Sequence, residues 1–270
     1  KRKSWKNGIS KAANEAFSDE SMIAVGTLGS VSSEKHSMYK REYNYLLLDE
    51  AAQSPECESC CAMARMHRMA GICVAGDYQQ LPPCSRNQKV KEYTQMSMME
   101  RLSKAPGVKH VLLTTQYRMV DAIARWPSNY FYESRLQTAS TLCQRYDTPE
   151  GFFWPSNTPM AFVHHTNCEE IMGTSPQNTY EVDLVQATLI GLLAFHRCSD
   201  IGVLTPYASQ RTLLHKRLTK YIKQGLFVES IDKAQGMERT IILMSVVRSS
   251  TRSPSIGFLS DPRRLNVGVT

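Results

Sequence analysis

Leu46-Leu-Leu-Asp-Glu-Ala-Ala-Gln53 reads as a buried apolar strand that delivers two carboxylates side by side into a turn. In open parallel sheets the carboxyl ends of the strands share one edge, and ligands bind there. Paired carboxylates at that edge can hold a magnesium ion and orient a water, as ATP hydrolysis requires. The same chemistry calls for a Gly-rich phosphate loop, G-x-x-x-x-G-K-[ST]. No such loop occurs in these 270 residues. Taken alone the stretch is a weak signal, because buried strands often end in polar residues, so its neighbours decide its meaning.

Working outward, strand-like runs alternate with helical patterns along the whole chain, which predicts an α/β fold built on parallel sheets flanked by helices. Candidate strands are 22–27, 45–48 and 71–75, then 110–113, 161–164, 201–204, 227–231 and 240–246. Helical patterns cover 55–69, 95–103 and 178–196. In the last of these Val182, Val185, Leu189 and Leu192 recur at i, i+3, i+7 and i+10, a stripe that must face a core. Thr205-Pro206 opens a further helix, with proline suited to its first turn and Leu213, Leu214 and Leu218 on its apolar face. Loop-rich zones lie at 82–91 and 148–159. A domain boundary is expected at Pro106-Gly107, dividing the chain into 1–107 and 108–270.

The bulk composition, 42% hydrophobic and 21% charged, is that of a globular chain. No run approaches the roughly eighteen apolar residues of a membrane-spanning helix, and no signal peptide follows the basic start Lys1-Arg-Lys-Ser-Trp-Lys6. An intracellular protein, cytoplasmic or nuclear, is expected. A formal charge of +7 suits a polyanionic partner, although basic residues also serve solubility. The eight cysteines show no regular framework and read as free thiols. Cys57-Glu-Ser-Cys60, with His67 nearby, lacks the second ligand pair of a zinc site.

Beyond Asp49 and Glu50, a second strand ends in Gly76-Asp-Tyr-Gln-Gln-Leu-Pro-Pro83. If the two strands are parallel neighbours, Asp49, Glu50, Asp77 and Gln80 converge on one crevice, and the Gln80 amide can sense a terminal phosphate without adding charge. The plainer reading is a loop rich in Gly and Pro. Leu113-Thr-Thr-Gln-Tyr-Arg-Met119 follows at another strand end. Arg118 offers a planar, permanently charged fork for phosphate and Tyr117 a flat face for a base, where an isolated pair would read as a solvated helix start.

Together these stretches resemble consecutive motifs of superfamily 1 helicases, in the group of the nonsense-mediated-decay and immunoglobulin-mu-binding helicases. Ile201-Gly-Val-Leu-Thr-Pro-Tyr-Ala-Ser-Gln210, Ser230-Ile-Asp-Lys-Ala-Gln-Gly-Met-Glu-Arg-Thr-Ile-Ile-Leu243 with Val247-Arg248, and Gly257-Phe-Leu-Ser-Asp-Pro-Arg-Arg-Leu-Asn-Val-Gly-Val-Thr270 follow in the same order. The resemblance spans about residues 22–270. It implies two RecA-like domains of the P-loop NTPase class, ATP with Mg2+ in the cleft between them, and a strand of single-stranded RNA or DNA lying across both. In that frame Asp49 holds magnesium, Glu50 orients the attacking water, Gln80 couples the γ-phosphate to domain movement, and Arg118 is an arginine finger. Tyr117 stacks on adenine, Gln235, Gly236 and Glu238 lie near ribose and phosphates, and Thr27, Thr205, Pro206 and Tyr207 line the nucleic-acid path. Arg248 and Arg264 fall in motif segments without an assigned contact.

The chain departs from the pattern at Ala234, where the family has an aromatic residue before Gln-Gly, and at Met119-Val-Asp121, where it has Met-His-Pro. On this reading the phosphate loop lies upstream of Lys1 and a second phosphate-binding arginine follows Thr270. The chain is then expected to be a piece of a longer motor, with its first domain incomplete, its second truncated at the C-terminal end, and little hydrolysis of its own. Protein partners would act through regions outside it. An ATP-dependent helicase translocating on single-stranded nucleic acid is the leading expectation. A nucleic-acid clamp that has lost ATPase activity leaves no chemical need for Asp49, Glu50, Gln80 and Arg118 together. A nuclease using Asp49 and Glu50 as metal ligands leaves Gln-Tyr-Arg-Met and the later motifs unexplained.

Overall fold

The computed structural model describes residues 23–32, 43–64, 66, 68–85, 94–143, 148–155, 158–249 and 257–270. Lys1–Lys6, Met22, His67, residues 86–91 of the first loop zone and 156–157 of the second lie outside them. The chain forms two compact units, Lys1–His110 and Val111–Thr270.

The first unit holds helix α1 (Leu28–Ser32), strand β1 (Tyr45–Leu48), helix α2 (Glu56–Met63), strand β2 (Gly71–Val74) and helix α3 (Met98–Leu102). β1 and β2 pair in parallel, Tyr45 opposite Gly71 and Leu48 opposite Val74, so both strands end at one edge. β1 is not the fully buried strand its apolar run suggests. Leu48 faces inward, whereas Tyr45 is 69% and Leu47 75% exposed, the alternation of a strand covered on one face. Ser97 caps α3 by accepting Glu100 N at 3.0 Å. Arg101 of α3 reaches Glu56 at the start of α2 with Nε and Nη2 at 2.8 and 2.5 Å. Among the described residues of the helical pattern 55–69, one short helix forms and it ends at Met63.

The second unit begins with β3 (Thr115–Gln116), α4 (Asp121–Phe131), β4 (Gln137–Thr138) and α5 (Ser140–Cys143). After them come the hairpin β5 (Glu170–Met172) and β6 (Ser175–Gln177), then α6 (Thr179–Leu192), β7 (Ile201–Thr205), α7 (Ala208–Ile222) and β8 (Phe227–Ser230). Helix α8 (Ile231–Ala234), β9 (Ile241–Met244) and α9 (Pro262–Val269) complete it. Its central sheet is parallel, in the order β8-β7-β9. Strands β7, β8 and β9 are joined through helices, the connection a parallel sheet demands.

The α6 stripe folds as its spacing dictates. Val182, Val185, Leu189 and Leu192 are buried with Ile201 and Val203 of β7 and with Leu214 and Leu218 of α7. Each fully buried leucine contributes about 1.5–3 kcal/mol relative to exposure, so this layer fixes where the β7 and β9 ends emerge.

Elsewhere the sequence pattern is overruled. Residues 23–27 form no strand; they lead into α1, with Thr27 O accepting Val31 N at 3.0 Å. Residues 110–113 also lack strand pairing, and Val111 and Leu113 are 86% and 83% exposed. The ladder starts two residues later, where Thr115 and Gln116 pair in parallel with Gln137 and Thr138. Residues 161–164 form no ladder either, and Phe162 is 84% exposed. Short apolar runs carry no periodicity that separates a strand from an extended connection. Pro206 stands before α7 instead of in its first turn, because Tyr207 takes the N-cap position.

Candidate functional site

In the first unit the parallel register brings the two acidic strand ends together. Ala75 N donates to Leu48 O at 2.8 Å and Ala51 N to Ala75 O at 2.9 Å, stapling the turns after β1 and β2. Asp49 Oδ1 accepts the Glu50 amide at 3.0 Å. Glu50 adopts φ 50°, ψ 35°, left-handed backbone that side chains rarely occupy. Strain of this kind persists where the surroundings enforce it and clusters at functional sites. Gln53 Nε2 donates to Glu50 Oε2 at 2.8 Å and fixes the carboxylate. After β2, Asp77 Oδ1 accepts Gln79 N at 2.9 Å and Asp77 O accepts Gln80 N at 3.1 Å, a tight Asx turn. A side chain at Gly76 would stand 3.1 Å from Ala51 N, so the closeness of the two turns depends on this glycine.

Asp49 and Glu50 are both exposed. Their oxygens are the hard donors that magnesium takes, and Mg2+ keeps waters and substrate phosphates beside one or two carboxylates. The residues present therefore fit that ion. Among the described residues there is no group of three or more His, Cys, Asp or Glu placed for a protein-only cage. Cys57, Cys60 and Cys61 are exposed free thiols.

In the second unit a different convergence forms around Arg118. Its Nε donates to Glu238 Oε2 at 3.2 Å and its Nη1 to Thr270 O at 3.3 Å. The end of β3, the turn after α8 and the end of α9 thus meet at one guanidinium. Gln235 closes α8, and Gly236, at φ +78°, makes the left-handed turn that presents Glu238; Met237 N donates back to Ala234 O at 2.8 Å. Ala234 is buried against Leu204 and Ile231, filling the position where an aromatic residue is expected.

Sequence reasoning missed Gln116. Its Oε1 accepts Arg118 N at 3.0 Å and Met119 N at 2.8 Å, while its Nε2 donates to Met119 O at 2.7 Å and Thr138 Oγ1 at 2.9 Å. One amide therefore clamps the turn that projects Tyr117, 73% exposed, and Arg118. The signal was a glutamine directly before Tyr-Arg at a strand end.

The remaining predicted positions differ in accessibility. Thr27 is exposed, and its Oγ1 accepts Ser30 N at 3.2 Å as a cap for α1. Thr205 is fully buried at the end of β7, Pro206 is half-buried, and Tyr207 is buried with its ring at 85° to Phe258, centroids 6.1 Å apart. Arg248 pairs with Glu169 at 3.2 Å, and Arg264 with Asp232 at 2.9 Å, so both brace neighbouring segments.

Burial pushes the Tyr207 phenol above its ordinary range, opposed by Arg248 and the Phe258 backbone. The folded protein then holds a proton that the unfolded chain releases above about pH 10. Stability from this group is complete below that pH and is lost as pH rises through the raised value. Urea unfolding at pH 8 and at alkaline pH should show a smaller alkaline loss for Tyr207→Phe than for wild type. Equal losses would assign the decline to other groups.

These features define a class: parallel α/β units with acidic strand-end turns in the first and an arginine-centred cluster in the second. Residues 94–270 match the family described as an AAA domain (AAA_12), and residues 1–87 match a second AAA domain description (AAA_11). The chain belongs to this AAA-domain family, of RecA-like P-loop fold, within the superfamily 1 helicase group of the nonsense-mediated-decay helicase. It is 37% identical over 242 residues to the regulator of nonsense transcripts 1 homolog of Neurospora crassa, covering 86% of this chain and 22% of that protein. It is 34% identical over 240 residues to the ATP-dependent helicase NAM7 of Saccharomyces cerevisiae, 85% of this chain and 24% of that one. With the DNA polymerase alpha-associated DNA helicase A of Schizosaccharomyces pombe the identity is 32% over 247 residues, 85% of this chain and 36% of the relative. The chain therefore spans roughly a fifth to a third of the length of these relatives. No described helix is long and apolar enough to cross a membrane.

Proposed function

We propose that this chain is the motor core of an ATP-dependent helicase that translocates on single-stranded RNA or DNA, with residues 1–107 belonging to its first RecA-like domain and 108–270 to its second. The observation that carries the reading is the stapled edge of β1 and β2, which holds Asp49 and Glu50 beside the Asp77–Gln80 turn. Asp49 would hold Mg2+, whose charge assists departure of the terminal phosphate. Glu50, fixed by Gln53, orients the attacking water and takes its proton. Gln80 senses the terminal phosphate, Tyr117 stacks on the adenine, and Arg118 neutralises charge that develops on the transferring phosphate. Gln235, Gly236 and Glu238 approach the ribose and phosphates. Thr27 and Pro206 line the strand, with the buried Thr205 and Tyr207 supporting that segment from within, and the grip is mainly to phosphate and sugar and so weakened by salt.

The test is ATP hydrolysis by the full-length protein with and without single-stranded RNA or DNA. Wild type should be stimulated by nucleic acid. Glu50→Gln should lose about 10²–10⁴-fold in turnover while still binding nucleotide, since the base is lost and the shape kept. A wild-type protein that binds strands tightly with no stimulated turnover would replace the motor by a clamp.

A further inference from the structure

We propose that Phe258 is a base-stacking platform for single-stranded nucleic acid, an inference that rests on the nucleic-acid reading above and adds to it a residue with a distinct mode of contact. Phe258 lies in the 3-10 turn Gly257–Ser260, and 52% of its surface is exposed. Its ring is held from within. The Arg264 guanidinium lies over it at 4.5 Å from the centroid. Arg264 is itself anchored to Asp232 of α8 through Nε at 2.9 Å and Nη2 at 3.4 Å, and to Asp261 at 3.4 Å. The buried Tyr207 ring supports Phe258 at a near-perpendicular 85°, and the Phe258 backbone hydrogen-bonds the Tyr207 hydroxyl. A Cβ at Gly257 would lie 3.3 Å from that hydroxyl, so the turn sits directly on Tyr207.

This arrangement differs from an incidental surface phenylalanine. Among the described residues the ring is braced by Arg264 of α9, by Tyr207 before α7 and, through Arg264, by Asp232 of α8, yet about half of Phe258 stays open to solvent. A pre-oriented ring needs no ordering when it binds, which is where an aromatic platform gains over a flexible one. It also adjoins Thr205-Pro206-Tyr207, where Thr205 and Tyr207 are buried and no aromatic ring is exposed. Nucleic-acid bases are the flat, uncharged partner such a ring selects, and stacking tolerates any base sequence. The net charge of +7 favours a polyanionic strand over an apolar protein surface.

The test uses the full-length protein and fluorescence anisotropy with single-stranded RNA and DNA oligonucleotides, intact or carrying abasic sites. Phe258→Ala should bind intact strands about 5- to 150-fold more weakly. The slope of log K against log salt should stay unchanged, because no phosphate contact is removed. Wild type should discriminate against abasic strands more than Phe258→Ala does. Phe258→Trp keeps the ring and should bind normally, with its emission quenched by the strand beyond any change from the native tryptophans. Binding by Phe258→Ala within twofold of wild type, or Phe258→Trp emission unmoved at saturation, overturns the platform. If wild type binds strands and hydrolyses ATP in response while either of these results holds, the motor reading stands and only the platform falls. If wild type binds no strand, both fall.

Discussion

Arg118→Ala should lower strand-stimulated ATP hydrolysis by the full-length protein about 10³–10⁵-fold, the range over which an arginine finger acts on phosphoryl transfer. The geometry explains why one side chain can weigh so much. Gln116 fixes the amides of Arg118 and Met119 with bonds of 3.0 and 2.8 Å. The guanidinium is held by Glu238 and the Thr270 carbonyl at 3.2 and 3.3 Å. Its contacts are those of an exposed pair, with side chains 43% and 72% accessible, so they are weak and exchangeable for phosphate. Arg118→Lys should recover little, because a lysine has neither the planar fork nor the spread charge. Glu238→Gln separates the partners' roles: if Glu238 only parks the guanidinium, hydrolysis should stay within a few-fold of wild type. Stimulated turnover above one tenth of wild type in Arg118→Lys would remove the finger role. The comparison is made at saturating ATP and strand, so that a binding defect is not read as a defect in chemistry.

How much of this was legible in the sequence depends on the range of the interaction. The α6 stripe was readable because Val182, Val185, Leu189 and Leu192 repeat at helical spacing, and a core must cover them. The edge shared by Asp49 and Asp77 was readable because parallel strands put their carboxyl ends together. The positions of the ladders were not. His110-Val-Leu-Leu113 is more apolar than Thr115-Gln116, yet pairing falls on the polar pair, because the partner Gln137-Thr138 and the Gln116 amide bonds lie there. Tyr207 shows the same limit. An aromatic after Thr-Pro reads as a surface for a strand, yet Tyr207 is buried, with the turn at Gly257–Ser260, far along the chain, packed on it. The left-handed backbone at Glu50 had no signal, since glycine or asparagine is the usual residue there.

The least legible feature is a buried polar cluster whose disruption should have the largest effect on stability. Glu181, in the first turn of α6, is buried, with Oε2 accepting Ser245 Oγ at 2.5 Å and Val247 N at 3.0 Å, and Oε1 3.2 Å from His165 Nε2. Asn178 caps the same helix by accepting Glu181 N at 3.2 Å and donates to Asn167 O at 3.0 Å. Gln210 of α7 completes the cluster: its Oε1 accepts Asn178 N at 2.8 Å, and its Nε2 donates to Ser245 Oγ at 2.8 Å. Ser245 N in turn donates to Leu204 O at 2.9 Å, so the cluster ties the ends of β7 and β9 to two helices. Removing the carboxylate would leave the Ser245 hydroxyl, the Val247 amide and His165 facing a cavity without their acceptor. Such losses cost about 3–5 kcal/mol when a buried charged partner is deleted. For a unit of this size each kcal/mol shifts Tm by about 2–4 °C, so Glu181→Ala should melt roughly 10 °C below wild type by circular dichroism. Glu181→Gln keeps the shape and one acceptor oxygen and should lose less than half as much. A Glu181→Ala protein within about 1 kcal/mol of wild type would show that solvent or rotated side chains replace the carboxylate. The strand ends would then be held by the α6–β7–α7 apolar layer alone.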